Sequence, residues 1–193
     1  TLNKPRTRLP SHCDRNLTIG IDMTTGALGQ GASTAAGIAL GNRMSGRNSR
    51  TYLSLGDGEI QEGQVWEMAS FAAHRKLDNL IAFVDNNKKQ LDGYTKDIND
   101  PGDIRAKFES FGWYAQDVDG KCVASIYEAV ERARNTRGKP SVIVLDTIKG
   151  QGCCFAEDIL FNHHIEVSES QMNEAIEKLE KKLEEKLEEV VSI

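Results

Sequence analysis

An aspartate set between glycines, Gly56-Asp57-Gly58, and an asparagine pair, Asn86-Asn87, are separated by residues 59–85 of a 193-residue chain. Each follows an apolar run, Leu53-Ser54-Leu55 in the first case and Leu80-Ile81-Ala82-Phe83-Val84 in the second. A carboxylate is a hard ligand for a hard cation, and flanking glycines let backbone come close to a phosphate. If the two runs are adjacent parallel strands, they end on the same sheet edge. The second then delivers an amide oxygen to the place where the first leaves its carboxylate. Together they make a candidate site for a metal ion and a phosphate group.

Three other stretches carry groups suited to the same chemistry. Gly20 to Gly31 holds four glycines in twelve residues, too many for a regular helix or a central strand. It feeds a small-residue helix, and a glycine loop at a helix start is an anion cradle, although such loops are common. His12 follows a basic, proline-punctuated opening; a lone loop histidine reads first as a surface residue. Lys149-Gly150-Gln151-Gly152 opens a loop that runs to Asn162-His163-His164.

The elements that position these groups alternate. Ala32, Ala35, Ala36, Ala39 and Leu40 recur at helical spacing. Arg50 to Leu55 is a β-prone run, and Val65, Trp66, Ala69, Ala72 and Ala73 mark the next helix. The unbroken apolar run 80–84 implies a strand buried on both faces, as in a parallel sheet. A polar loop through residues 92–102 follows, then a short helix 104–111, a strand 113–118, a helix over 123–133 and a buried strand 141–147. This order predicts a three-layer, doubly wound, mainly parallel α/β fold with helices on both faces and right-handed crossovers. Residues 1–11 read as an irregular arm, 12–167 as the domain, and 168–193 as a charged amphipathic helix. Met172, Ala175, Ile176, Leu179, Leu183, Leu187 and Val190 form the stripe of that helix, which either packs on its own domain or reaches a partner chain.

Composition sets the outer limits. The net charge of −5 argues against nucleic acid as main partner. No run approaches a membrane span and no signal peptide is visible, so the expectation is a cytoplasmic protein. Cys13, Cys122, Cys153 and Cys154 lack Cys-x-x-Cys spacing and read as reduced thiols. No Gly-x-Gly-x-x-Gly or Walker-type motif follows a strand, which disfavours a plain nucleotide-binding protein. The start at Thr1, without methionine, suggests a fragment, a processed chain or a numbering that skips earlier residues.

Taken together, these segments resemble the diphosphate-binding domain of transketolase, a thiamine-diphosphate enzyme. Beyond Gly56-Asp57-Gly58 and Asn86-Asn87, Thr24-Thr25-Gly26-Ala27-Leu28-Gly29-Gln30-Gly31 looks like the family's Thr-Gly-x-Leu-Gly-Gln-Gly loop. Glu62-Gly63-Gln64-Val65-Trp66-Glu67 and Lys76-Leu77-Asp78-Asn79-Leu80 also look like transketolase. Lys149-Gly150-Gln151-Gly152, Glu157 and His163 resemble a Lys-Gly-x-Gly…Glu…Trp-His segment. Asn162 stands where the family usually has tryptophan and His164 where it has glycine; the count from Lys149 favours His163 over His164 as the site histidine.

The resemblance, which covers nearly all of residues 9–168, implies roles. Asp57, Asn87 and the carbonyl of Lys89 would hold Mg²⁺, with Ca²⁺ as a possible substitute. Gly58, Gly26, Ala27, Leu28, Asn87, Lys149 and His163 would contact thiamine diphosphate. His12 and His163 would serve proton transfer, and Glu62 would join a carboxylate network across a subunit interface. The implied reaction moves a two-carbon ketol group between sugar phosphates. The family's domain begins well before the segment matching His12 and works with a pyrimidine-binding domain, so the expectation is a second chain and a dimer of such pairs. The alternatives are a deoxyxylulose-phosphate synthase, a specialised sugar transketolase, or a non-catalytic remnant that still binds the cofactor.

Overall fold

A computed structural model describes residues 2–157 and 159–191, with side chains described through Leu187. Val190 of the apolar stripe, and Thr1, Asp158, Ser192 and Ile193, lie outside that description. In chain order the elements are α1 (Gln30–Met44), β1 (Thr51–Gly56), a 3₁₀ turn (Glu59–Gln61), α2 (Gly63–His74), β2 (Leu80–Asn86), β3 (Lys89–Gln90) and β4 (Gly93–Tyr94). They continue with α3 (Thr95–Ile98), α4 (Ile104–Ser110), β5 (Tyr114–Asp119), α5 (Val123–Asn135), β6 (Ser141–Asp146), α6 (Cys154–Glu157) and α7 (Glu169–Val191). Residues 2–29 contain turns and no helix or strand.

Four strands form a parallel sheet in the order β1-β2-β6-β5. Gly56 pairs with Asp85, and Asn86 and Asp119 both pair with Asp146, so all four strands finish on one edge. Strand geometry sends alternate side chains to opposite faces. Leu80, Ala82 and Val84, with Val142, Val144, Leu53 and Leu55, point into the larger core beneath α1, α2 and α4. Ile81, Phe83 and Ile143, with Val118, meet Ala129 and Ala133 of α5 on the other face. The expected three layers are therefore present, three helices on one side and one on the other.

Small residues decide how closely the first layer packs. Ala32, Ala35, Ala36 and Ala39 of α1 and Ala69 and Ala72 of α2 are buried, so the helices meet almost backbone to backbone. Larger rings close the far end: Phe108 lies 5.1 Å from Trp66 and 5.2 Å from Trp113 between ring centroids. The indole N–H of Trp113 donates to the carbonyl of Ala69 at 2.9 Å, which satisfies its polar end inside the core.

The polar stretch after β2 differs from the expected loop. It folds into the β3–β4 hairpin and the single turn α3, anchored where the Thr95 amide donates to the Lys88 carbonyl. Backbone pairing of this kind leaves no periodic hydrophobic trace. At the other end, Ala175 is the buried member of the α7 stripe, and the Lys178 ammonium of α7 donates to Cys154 Sγ at 3.4 Å. Met172, Ile176, Leu183 and Leu187 remain exposed. Glu174 and Lys178, four residues apart on this helix, pair at 2.6 Å. Among the described residues no helix is long and apolar enough to cross a membrane, and all four cysteines are free.

Phe108 is fully buried at the centre of the aromatic cluster. Phe108→Ala is expected to cost about 3–5 kcal/mol through lost transfer energy and the cavity left behind. A urea midpoint within error of the parent's would show that this cluster does not support the core.

Candidate cofactor site

At the carboxyl edge of the sheet, Asp57 begins the turn after β1 and is 1% exposed. Its two oxygens accept from backbone: Oδ1 from Gly58 N–H at 2.8 Å and Oδ2 from Lys88 N–H. Burial pushes the carboxyl above its ordinary value of 3.8, and the neighbouring Asp85 adds to the rise. The two N–H bonds and the charge of Lys149 pull the other way. Among the described residues no ammonium or guanidinium bonds Asp57 directly. A buried carboxylate bonded by N–H dipoles and not by a side-chain cation is well suited to receive one.

The asparagine pair is held to the same spot. Asn87 donates its Nδ2 to Asp85 Oδ2 at 2.8 Å, and its Oδ1 accepts from Lys89 N–H at 3.0 Å. Asp85 in turn accepts from the Thr147 hydroxyl, so the residue that follows β6 fixes the Asn87 orientation through Asp85. Lys88 adopts φ 67°, a left-handed conformation that costs a residue with a Cβ about 1–2 kcal/mol. The bond from its N–H to Asp57, and the contacts of its ammonium with Asn86 O and Asp146, hold it there. Gly58 faces the hairpin: a Cβ at this position would meet Gln90 Cβ at 2.9 Å.

The glycine loop forms the next wall. Gly26 has φ 148°, and a Cβ on it would run into the His12 ring at 1.9 Å, so His12 and Gly26 are packed together. Ala27 and Leu28 are exposed beside them. Glu59 ties this loop to the Asp57 turn, because its two oxygens accept from Gly29 N–H at 2.9 Å and Gly56 N–H at 3.2 Å. Glu62 sits at the N-cap of α2, packs against Gly29, and leaves its carboxylate exposed without a side-chain cap bond.

Lys149 and His163 make the last wall. The Lys149 ammonium donates to His163 Nδ1 at 3.0 Å; that bond leaves the ring proton of a neutral imidazole on Nε2. Partial burial, and then the nearby Lys149 charge, hold His163 below the ordinary histidine value of 6.5. Burial also lowers Lys149, with Lys89 pushing the same way and Asp57 opposing. Asn162 donates to the carbonyls of Lys149 at 3.0 Å and Ala156 at 2.7 Å, and Glu157 accepts from Gly152 N–H at 2.7 Å. His164 is exposed and makes no hydrogen bond or ion pair among the described residues.

A family described as "Transketolase, thiamine diphosphate binding domain" matches residues 2–188. The chain belongs to this family. It is 50% identical over 181 residues to the 6-deoxy-6-sulfo-D-fructose transketolase subunit SqwG of Clostridium sp. (strain MSTE9), covering 94% of this chain and 66% of that one. It is 38% identical over 172 residues to one of the named subunits of apulose-4-phosphate transketolase in Actinobacillus succinogenes, covering 89% and 62%. In structure it is similar to transketolase from Campylobacter jejuni, with a TM-score of 0.85, 27% identity, and coverage of 92% of this chain and 29% of that one. The chain thus spans less than two thirds of the relatives it matches.

Within this transketolase-family domain, the motif residues gather into three connected groups: His12 with Gly26, Asp57 with Asn87 and Lys89, and Lys149 with His163. Glu59 and Asp85, which join or orient these groups, carry no motif signal of their own. Glu59 sits one residue beyond Gly58, and nothing in its type distinguishes it from an ordinary helix-start carboxylate. Asp85 adjoins the asparagine pair, and its position between β1 and β6 emerges only from the strand order. No group of three or more His, Cys, Asp or Glu among the described residues forms a self-sufficient metal cage. A cation here would therefore need mixed oxygen ligands, including oxygens brought by a ligand.

His163 is expected to titrate below 6.5 in an NMR pH series, with Lys149→Ala moving its midpoint upward. Because the folded state disfavours protonation, the His163 contribution to stability is present above 6.5 and is lost as the pH falls from there towards the lowered value. A midpoint at or above 6.5 in the parent protein would contradict the Lys149–His163 pairing.

Proposed function

We propose that this chain is the diphosphate-binding subunit of a transketolase-type enzyme, which moves a two-carbon ketol unit between sugars. The observation that carries this reading is the Asp57 carboxylate, buried, free of any bonded cation, and facing an amide, a glycine turn and Lys149. Asp57, Asn87 Oδ1 and the Lys89 carbonyl would hold Mg²⁺, with Ca²⁺ as an all-oxygen substitute. Asn87 Oδ1 accepts one bond here, and an amide oxygen has a second lone pair to offer. Gly58 and the Gly26-Ala27-Leu28 loop give backbone access to the diphosphate. Lys149 adds a positive charge close enough for Asp57 to feel it.

When bound, thiamine diphosphate supplies the stabilised carbanion through which a ketol unit is transferred. The chain's own residues bind, orient and move protons around it. His163, neutral and with its proton on Nε2, can donate to a substrate oxygen, and His12 stands beside Gly26. Glu62 presents its carboxylate outward, where another chain can meet it. Two relatives are named for a sulfo sugar and a sugar phosphate, and both names specify subunits. We therefore infer a ketose with an anionic terminus as the substrate class. A second chain carrying the pyrimidine-binding domain completes the site, in a dimer of such pairs.

Calorimetric titration with thiamine diphosphate and Mg²⁺ is expected to show binding that Asp57→Ala weakens by at least about 100-fold; equal affinity in the variant would sink the metal assignment. Ketol transfer is expected only when a pyrimidine-domain chain is added. Turnover by the purified chain alone would overturn the subunit reading.

A further inference from the structure

Lys89 enters the proposed site only through its backbone carbonyl, yet its side chain is the one lysine buried among the described residues, 8% exposed. Its ammonium donates to the carbonyls of Glu157 and Ile159, each at 3.1 Å, and lies 5.8 Å from the centre of the Tyr94 ring. It forms no ion pair with a carboxylate among the described residues. A buried charge is costly unless its donors are satisfied. One acceptor, the Glu157 carbonyl, is left open at the C-terminal end of the one-turn helix α6, where cations are favoured, and the other, that of Ile159, lies just past it.

Those two carbonyls belong to the loop that carries Lys149 and His163. The loop is a self-tied unit. Asn162 binds the carbonyls of Lys149 and Ala156, Glu157 receives Gly152 N–H, and Lys149 reaches His163. Of the side chains on the Asp57–Asn87 turn, Lys89 alone reaches across to grip this unit. We propose that the Lys89 side chain is a positioning residue: it latches the 149–163 loop onto the metal-and-diphosphate turn and so sets where Lys149 and His163 stand over cofactor and substrate. The role in catalysis rests on the function proposed above; the latch itself does not. A lysine suits the task because its flexible four-carbon stem spans the gap and its head offers three donors to two acceptors. One residue would thereby join the two halves of the site, its carbonyl available to a cation and its ammonium bonded to the loop.

Lys89→Met keeps the backbone carbonyl and most of the stem volume while removing the donors. Hydrogen exchange is expected to quicken about tenfold at Gly152, Cys153, Ala156 and Glu157, with β2 and β6 amides exchanging as in the parent. In the enzyme assembled with its partner chain and saturated with thiamine diphosphate, kcat/KM for the ketose should fall at least about tenfold. Unchanged exchange in the loop overturns the latch. Exchange that quickens equally through the sheet shows a general structural role and overturns the positioning assignment. Failure of the parent protein to bind thiamine diphosphate would sink the proposed function and leave the exchange comparison to decide the latch. If Lys89→Met does not fold, Lys89→Gln, which keeps polarity but loses charge and reach, is judged by the same readings.

Discussion

The structure depends on a carboxylate that has been taken out of water and is held by backbone N–H groups. Asp57 is buried at the end of an edge strand, and backbone N–H groups from two separate turns converge on it. That arrangement costs the folded chain in two ways. Burial disfavours the ionised form, and Lys88 must hold a left-handed backbone to present its N–H. Folded chains keep such costs where a bound group offsets them. A divalent ion with a diphosphate would do so, because it replaces two weak dipoles with direct charge compensation.

Everything near Asp57 is consistent with that demand. Parallel pairing of β1 with β2 brings the Asn87 turn alongside it, and pairing of β2 with β6 brings Thr147 to orient Asp85, which orients Asn87. Glu59 works on the other side, one carboxylate holding both the glycine loop and the strand end. Neither relay touches a bound group, yet each fixes an atom that would. Glu59 and Asp85, like Asp57, are held by N–H, O–H or amide donors of the protein; Asp57 is set apart by its deeper burial where the two turns meet.

The sequence made the sheet legible because its strands are continuous apolar runs and its helices carry small residues at regular spacing; both are one-dimensional signals. Strand order was not read from those signals, although the common edge for Asp57 and Asn87 depended on it and the structure supplied it. The hairpin after β2 was illegible for a different reason. Its residues pair through backbone and carry no alternation, so Lys89-Gln90 and Gly93-Tyr94 read as loop. Motif residues were found where the residue type is itself unusual, as with aspartate between glycines. Glu59, Asp85 and the Lys89 side chain were missed because they act through partners 30 to 70 positions away, and spacing in sequence holds no trace of such contacts.

Departures from the family pattern acquire a meaning in the same terms. Where the resemblance leads one to expect tryptophan, Asn162 stands inside the loop and bridges two of its carbonyls. A large ring would hold such a loop by burying area; an amide holds it by satisfying backbone acceptors, and does so only with its donors correctly aimed. The amide oxygen is buried without a partner among the described residues, so the stitch is incomplete there. An incomplete stitch makes the loop's position depend more heavily on its outside attachments. Those include the Lys89 ammonium on the Glu157 and Ile159 carbonyls, Gln151 Nε2 on the Gly120 carbonyl, and the Lys178 ammonium on Cys154 Sγ, the last of which is carried by α7. The exposed stripe of α7 is therefore mechanically continuous with the wall that holds Lys149 and His163, and whatever that helix packs against bears on the geometry of the site.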